Sequence, residues 1–96
     1  MNKPLAEAEV TTRLAELHGW KADGNRSLTR ELKFANHIEA IGFVVRVAMA
    51  AEVLDHHPDL RIVYNKVDLV LSTHDAGGVT AKDFELASRI DKFAGQ

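Results

Sequence analysis

Apolar residues recur along the chain with two different periods, and the changes of period divide it into helices and strands. Residues 5–18 are a predicted helix ending before Gly19, because three apolar residues recur there at helical spacing: Val10, Leu14 and Leu17. Residues 27–34 alternate between apolar and polar positions, as a half-buried strand does, with Arg30 on the apolar face. With a short strand over residues 20–22 and a turn between the two, they predict a β-hairpin.

A long helix is predicted next, with Asn36 as its N-cap, Glu39 as the capping-box partner and its end near Leu54. Its apolar residues form two neighbouring stripes. The first contains Ile38, Ile41, Val45, Ala48 and Met49, and the second contains Ala40, Val44, Val47 and Ala51. One stripe can cover the sheet, and we expect the second to contact another subunit. A charge placed at Val44, on the second stripe, would test this contact. The alternative is that both stripes belong to a central core helix.

The C-terminal half predicts a second hairpin and a last helix. Residues 62–64 and 67–73 are predicted strands, and Thr80 with Asp83 has the spacing of a capping box for the helix that follows. The element order is therefore α-β-β-α-β-β-α. Hairpins that alternate with helices favour an α+β fold, in which a four-stranded antiparallel sheet carries three helices packed on one face. A chain of this length predicts a single domain over residues 1–96.

Composition excludes several classes of function. The net charge is −2 and the basic residues are scattered, so no basic patch indicates nucleic acid as a partner. The chain has no cysteine, which excludes disulfides, thiolate nucleophiles and cysteine-ligated zinc. No apolar run is long enough to cross a membrane, and no signal-peptide pattern follows Met1. We expect a soluble cytoplasmic protein.

Candidate chemistry is concentrated between residues 52 and 83. His56 and His57 are adjacent, between Asp55 and a proline that must end the preceding helix, and His74 follows the last predicted strand. Imidazoles exchange protons near neutral pH, so three of them beside carboxylates predict proton-transfer chemistry. The same groups could also bind a metal such as zinc. The other two histidines, His18 and His37, are predicted surface residues.

Seven positions in this region follow a recognisable spacing: Glu52, His56, His57, Pro58, Tyr64, His74 and Asp83. The pattern resembles the signature of the pterin-4a-carbinolamine dehydratases, and residues 63–67, 71–74 and 86–88 are similar to that family as well. The resemblance covers nearly the whole chain. It departs from the family at Leu60, where an aromatic residue, commonly Trp, is frequent beside the pocket.

The resemblance implies an enzyme that dehydrates 4a-hydroxytetrahydropterin to quinonoid dihydropterin during tetrahydropterin recycling. It implies that His56, His57 and His74 are catalytic and line the pterin site. We assign His57 and His74 to acid and base work at the 4a hydroxyl, and His56 mainly to binding and orientation. Substrate-binding roles are predicted for five further residues: Glu52, Asp55, Asp83, Ser72 and Thr73. Ser72 and Thr73 are expected to offer backbone groups to the pterin. Tyr64 is predicted to pack in the core.

The resemblance also implies that no cofactor or metal is needed and that the chain forms a homodimer or homotetramer. Nucleic acid and membrane are not expected as partners. Two alternatives remain open at the level of sequence. One is a metal-binding protein, and the other is a non-catalytic dimerisation module of the transcriptional-coactivator type, a role that animal members of the family also have.

Overall fold

The computed structural model describes residues 3–94, and its elements follow the predicted order. The helices are α1 (Glu7–Leu14), α2 (His37–Leu54) and α3 (Ala81–Phe93), and the strands are β1 (Lys21–Asp23), β2 (Ser27–Lys33), β3 (Asp59–Val63) and β4 (Lys66–Leu71). A single 3₁₀ turn, His74–Ala76, lies between β4 and α3. The prediction of an α+β fold with the order α-β-β-α-β-β-α is confirmed.

The four strands form one antiparallel sheet in the order β1-β2-β4-β3. Leu28 pairs with Leu71, and Leu60 pairs with Leu69, so the apolar residues of neighbouring strands share one face of the sheet. The helices cover that face and close one hydrophobic core. Its fully buried large side chains are Val10, Leu28, Phe43, Val47, Val67, Leu69, Leu71, Val79, Leu86 and Ile90.

Helix α2 packs its second stripe against the sheet, although we expected that stripe to contact another subunit. Ala40, Val47 and the aromatic Phe43 between them are fully buried, and Val44 packs against the core. Burial of Phe43 explains the choice, because an aromatic ring contributes more apolar area than any other residue of this helix. The exposed stripe consists of Ile38, Ile41, Val45, Met49 and Val53, of which Ile38 is 81% exposed and Met49 65% exposed.

Several boundaries and one burial prediction were wrong. Helix α1 ends at Leu14, five residues before Gly19, because the next turn is closed by tighter bonds from Glu16 N–H to Arg13 O and from Leu17 N–H to Leu14 O. Strand β3 begins at Asp59, where pairing with β4 starts directly after Pro58. Tyr64 is 65% exposed rather than buried, because it occupies the tight β3–β4 turn with a φ of 54°.

The helix caps follow the sequence closely. Asn36 Oδ1 accepts the Glu39 N–H at 2.9 Å, but the Glu39 carboxylate accepts from Ala35 N–H, so this capping box is only half formed. The capping box of Thr80 and Asp83 at α3 is complete. None of the helices within residues 3–94 is long and apolar enough to cross a membrane.

A buried ion pair joins the first hairpin to α3. Arg30, on the inner face of β2 as predicted, donates from Nη1 to Asp91 Oδ1. The same oxygen accepts the Trp20 indole N–H at 2.7 Å. Because both charged side chains are nearly inaccessible to water, this network fixes the hairpin against the helix.

Candidate active site

Three separate segments of the chain enclose an open cavity of about 230 Å³. They are the C-terminal end of α2, the end of β4 with the 3₁₀ turn, and the first turn of α3. The lining residues are Asp55, His56, His57, Ser72, Thr73, His74, Asp75 and Lys82. The fold thus brings together the three histidines that the sequence selected, although His74 is 17 positions beyond His57.

The end of α2 sends the two adjacent histidines in different directions. Asp55 adopts the left-handed conformation with a φ of 51°, and its N–H bonds to Ala51 O and Glu52 O. The His56 N–H bonds to Ala51 O at 2.9 Å, which closes the helix end. As a result the His56 side chain is 10% exposed, whereas that of His57 is 58% exposed.

His56 is held from behind by a buried carboxylate. Its Nε2 lies 2.5 Å from Asp83 Oδ1, and Asp83 has no exposed surface. Asp83 Oδ2 accepts two further hydrogen bonds, from the Thr73 hydroxyl at 2.8 Å and from Thr80 N–H at 2.9 Å. Asp83, which we expected to bind substrate, therefore contacts His56 instead of the cavity, and its place in the site is that of a positioning residue.

His57 lies at the rim of the cavity and has one partner. Its Nε2 is 2.9 Å from Glu52 Oε1, and the Glu52 side chain is 80% exposed. A pair so open to water contributes little to stability. Glu52, predicted to bind substrate, contacts His57 and does not itself line the cavity.

His74 is presented by a short loop. It is the first residue of the 3₁₀ turn, it is exposed, and its ring makes no hydrogen bond to another described residue. The loop is closed by a bridge between Thr73 and Gly78. A Cβ atom at Gly78 would lie 2.5 Å from Asn25 O, so only glycine lets this loop pack against the first hairpin.

The remaining predicted residues are partly engaged by the protein itself. Ser72 lines the cavity, but its hydroxyl donates to Arg26 O at 2.8 Å. The Thr73 N–H bonds to Gly78 O, and the Thr73 carbonyl accepts from residues 76–78, so its backbone is not free to bind a ligand as expected. Asp55 lines the cavity, and its binding of substrate stays a prediction.

Sequence reasoning missed two lining residues, Asp75 and Lys82. Each is adjacent in sequence to a selected residue, Asp75 to His74 and Lys82 to Asp83. Their place at the cavity depends on the 3₁₀ turn, which was not predicted, and on how the first turn of α3 packs. Lys82 brings a positive charge to a cavity that otherwise carries the carboxylates of Asp55 and Asp75.

The metal alternative lacks a ligand set in the described part of the chain. Within residues 3–94, no three His, Asp or Glu side chains converge in a way that could hold a metal ion. Two of the three cavity histidines already direct Nε2 at a carboxylate of the protein.

Comparison with known proteins identifies the family of the chain. A sequence model of the family described as pterin 4 alpha carbinolamine dehydratase matches residues 3–93. The chain belongs to the pterin-4a-carbinolamine dehydratase family. Relatives that carry this enzyme's name provisionally include one from Chloroflexus aggregans, 48% identical over 95% of this chain and 97% of its own length. Another, from Sulfolobus acidocaldarius, is 49% identical over 92% of this chain and 96% of its own.

Solved structures of the family share the fold. A protein from Brucella melitensis, described as a transcriptional coactivator/pterin dehydratase, superposes with a TM-score of 0.92 at 40% identity, covering 97% of this chain and all of the other. A pterin dehydratase-like protein identified as a RuBisCO assembly factor in the alpha-carboxysome has a TM-score of 0.70 over 82% of this chain and 93% of its own. At 21% identity, that second likeness concerns the fold alone.

Proposed function

We propose that this chain is a 4a-hydroxytetrahydropterin dehydratase that forms quinonoid dihydropterin and water by histidine acid–base catalysis, as a step in tetrahydropterin recycling. The observation that carries the proposal is the convergence of His56, His57 and His74 on one cavity. Membership in the dehydratase family supports the choice of substrate.

The proposed reaction needs two proton transfers. A general acid donates a proton to the 4a hydroxyl, the C4a–O bond breaks with its electron pair leaving on oxygen, and water departs. A general base takes a proton from a ring nitrogen, which gives the quinonoid product. One proton is donated and one is taken up, so no oxidant or reductant enters. A positioned acid or base contributes typically about 10²–10⁴-fold to the rate.

The surroundings of the histidines support a division of these roles. His57 and His74 are exposed at the cavity and can approach a bound pterin, so we assign the proton transfers to them. Glu52 orients His57 through their 2.9 Å contact. His56 is nearly buried and fixed by Asp83, which suits binding and orientation. Polar groups for the remaining edges of the pterin come from Asp55, Ser72, Asp75 and Lys82.

A dehydration assay on single variants tests this assignment. His57→Ala and His74→Ala should each lower turnover by at least about tenfold, because each removes one proton-transfer group. His18→Ala is the matched control, since its side chain is exposed and lies outside the cavity. Near-wild-type turnover in both cavity variants would contradict the assignment of the proton transfers to His57 and His74. His56→Ala should raise KM more than it lowers kcat, because it removes binding shared by the ground and transition states.

We also infer that the chain forms a homodimer or homotetramer through the exposed stripe of α2. Five large or medium apolar side chains lie open along one helix face, and scattered single residues would not form such a continuous surface. A symmetric contact between two copies would bury the same stripe on each.

A second candidate function, protein binding of the coactivator type, is favoured by the same stripe. A strain that lacks this protein distinguishes the two functions, because each variant either restores its wild-type phenotype or does not. If the function is dehydration, His74→Ala should not restore the phenotype. If the function is protein binding, His74→Ala should restore it and Val45→Glu should not.

A further inference from the structure

The capping box of α3 contains a carboxylate that a cap alone does not explain. Asp83 has no exposed surface, although the Asp or Glu of a capping box needs only to reach the N-terminal N–H of its helix. A buried carboxylate is costly unless it is fully hydrogen bonded. Here the remaining partners come from outside α3, namely Thr73 at the end of β4 and His56 after α2.

The hydroxyl protons in this cluster can be ordered from the contacts. Thr73 donates its one hydroxyl proton to Asp83 Oδ2 at 2.8 Å. The Thr73 and Thr80 hydroxyl oxygens are 2.7 Å apart, so Thr80 must be the donor between them. Thr80 Oγ1 in turn accepts from Lys82 N–H at 3.3 Å. The chain of donors therefore runs from Lys82 N–H through Thr80 and Thr73 to Asp83.

The same cluster distinguishes the two nitrogens of His56. Asp83 Oδ2 accepts two hydrogen bonds, which favours the ionised carboxylate, and the facing His56 Nε2 must then carry a proton. His56 Nδ1 has no hydrogen-bond partner among residues 3–94, and no buried side-chain nitrogen or oxygen of these residues lacks one. Nδ1 is therefore accessible to solvent, on a residue that lines the cavity.

We propose that Thr73 and Thr80 are positioning residues that occupy Asp83 Oδ2, so that Oδ1 holds the proton of neutral His56 on Nε2 and Nδ1 is left as its free acceptor at the cavity. A free acceptor at this point suits a ligand that presents an N–H group, as a reduced pterin does. This identification of the ligand group rests on the proposed function, whereas the protonation of His56 does not. Thr73 thus acts through Asp83, in place of the backbone contact expected from the sequence.

Nitrogen NMR of the full-length protein with labelled histidine tests the proposal without any pterin. The signals of His56 are assigned by their loss in His56→Asn, at a pH where imidazoles are neutral. In the wild type, the form with the proton on Nε2 should exceed the Nδ1–H form by about tenfold or more. Asp83→Asn should reverse this preference, with the Nδ1–H form in about fivefold excess or more. The Thr73 hydroxyl and the Thr80 N–H would take the amide oxygen as their acceptor, so the amide N–H would face His56 Nε2, which must then accept.

Serine variants provide the matched controls, since they keep the hydroxyl and lose only a methyl group. Thr73→Ser and Thr80→Ser should keep the ratio within about twofold of the wild type. A wild-type His56 with its proton mainly on Nδ1 would overturn the proposal, even if Asp83→Asn fails to fold. So would a folded Asp83→Asn variant that keeps the His56 proton mainly on Nε2. A chain without dehydratase activity but with the expected ratios would refute the proposed function and leave this inference standing.

Discussion

At the scale of the residue, the candidate site depends on how one carboxylate is shared. Asp83 caps α3, receives the Thr73 hydroxyl and holds His56, so three segments of the chain meet at its two oxygens. The sequence revealed the cap, because Thr80 and Asp83 have capping-box spacing. It could not reveal the contact with His56, which lies 27 positions away. Long-range contacts of this kind depend on how the elements pack.

Asp83→Asn should destabilise the protein by about 2–3 kcal/mol, because the buried amide forms weaker hydrogen bonds than the carboxylate and makes His56 move its proton away from Nε2. Urea unfolding followed by circular dichroism measures the change. Asp59→Asn is the control, since Asp59 is exposed and forms no ion pair among the described residues, and it should stay within about 0.5 kcal/mol of the wild type. Equal stability of the two variants would contradict the structural role of Asp83.

The two adjacent histidines show what residue-level reasoning can achieve. Pro58 predicted a helix end, and the left-handed Asp55 realises it. The conformation of Asp55 turns His56 inward and His57 outward. Aspartate can adopt this left-handed conformation but does not require it. The sequence therefore predicted that the histidines line one cavity, and the backbone conformation decided which of the pair is buried.

At the scale of the element, the fold was predictable wherever periodicity was strong. Strands β2 and β4 alternate clearly, and both were located correctly to within two residues. Strand β3 was placed too late in the sequence, because its first residues follow Pro58 and carry a charge, and only pairing with β4 makes them a strand. In α2, both stripes are apolar, so periodicity alone could not choose the buried one. Phe43 decided it by packing beside Phe34, with ring centroids 5.0 Å apart.

The ion pair between β2 and α3 leads to a prediction at this scale. Asp91→Asn should cost about 3–5 kcal/mol, because it leaves the Arg30 guanidinium buried without a countercharge. Asp23→Asn breaks an Arg–Asp pair too, but the Arg26 and Asp23 side chains are 75% and 60% exposed, so the loss of stability should be far smaller. Denaturant unfolding of both variants measures the difference, and similar losses would contradict the account of the buried network.

At the scale of the whole molecule, residues 3–94 leave an apolar face of α2 uncovered. The helices bury one face of the sheet, and α2 has a second apolar face that they do not cover. The sequence predicted that such a surface exists but assigned it to the stripe that contains Val44. The charge that tests assembly therefore belongs at Val45.

Val45→Glu should convert the assembled species to monomer and leave the circular dichroism spectrum unchanged, because Val45 is 51% exposed in the single chain. Val47→Glu, two residues further along, places a charge at a fully buried position and should unfold the protein. Light scattering gives the mass of each variant. A wild-type chain that is monomeric at micromolar concentration would rule out the proposed assembly.

The central claim is that the histidine cavity dehydrates a 4a-hydroxytetrahydropterin with protein groups alone. It is tested most directly by the rate of dehydration, in rapid mixing with 4a-hydroxytetrahydropterin, after exhaustive treatment of the protein with EDTA. The account predicts a rate that rises in proportion to protein concentration above the spontaneous rate and that does not change when zinc is added back. A rate equal to the spontaneous one would contradict it, and so would an acceleration that disappears with EDTA and returns with zinc.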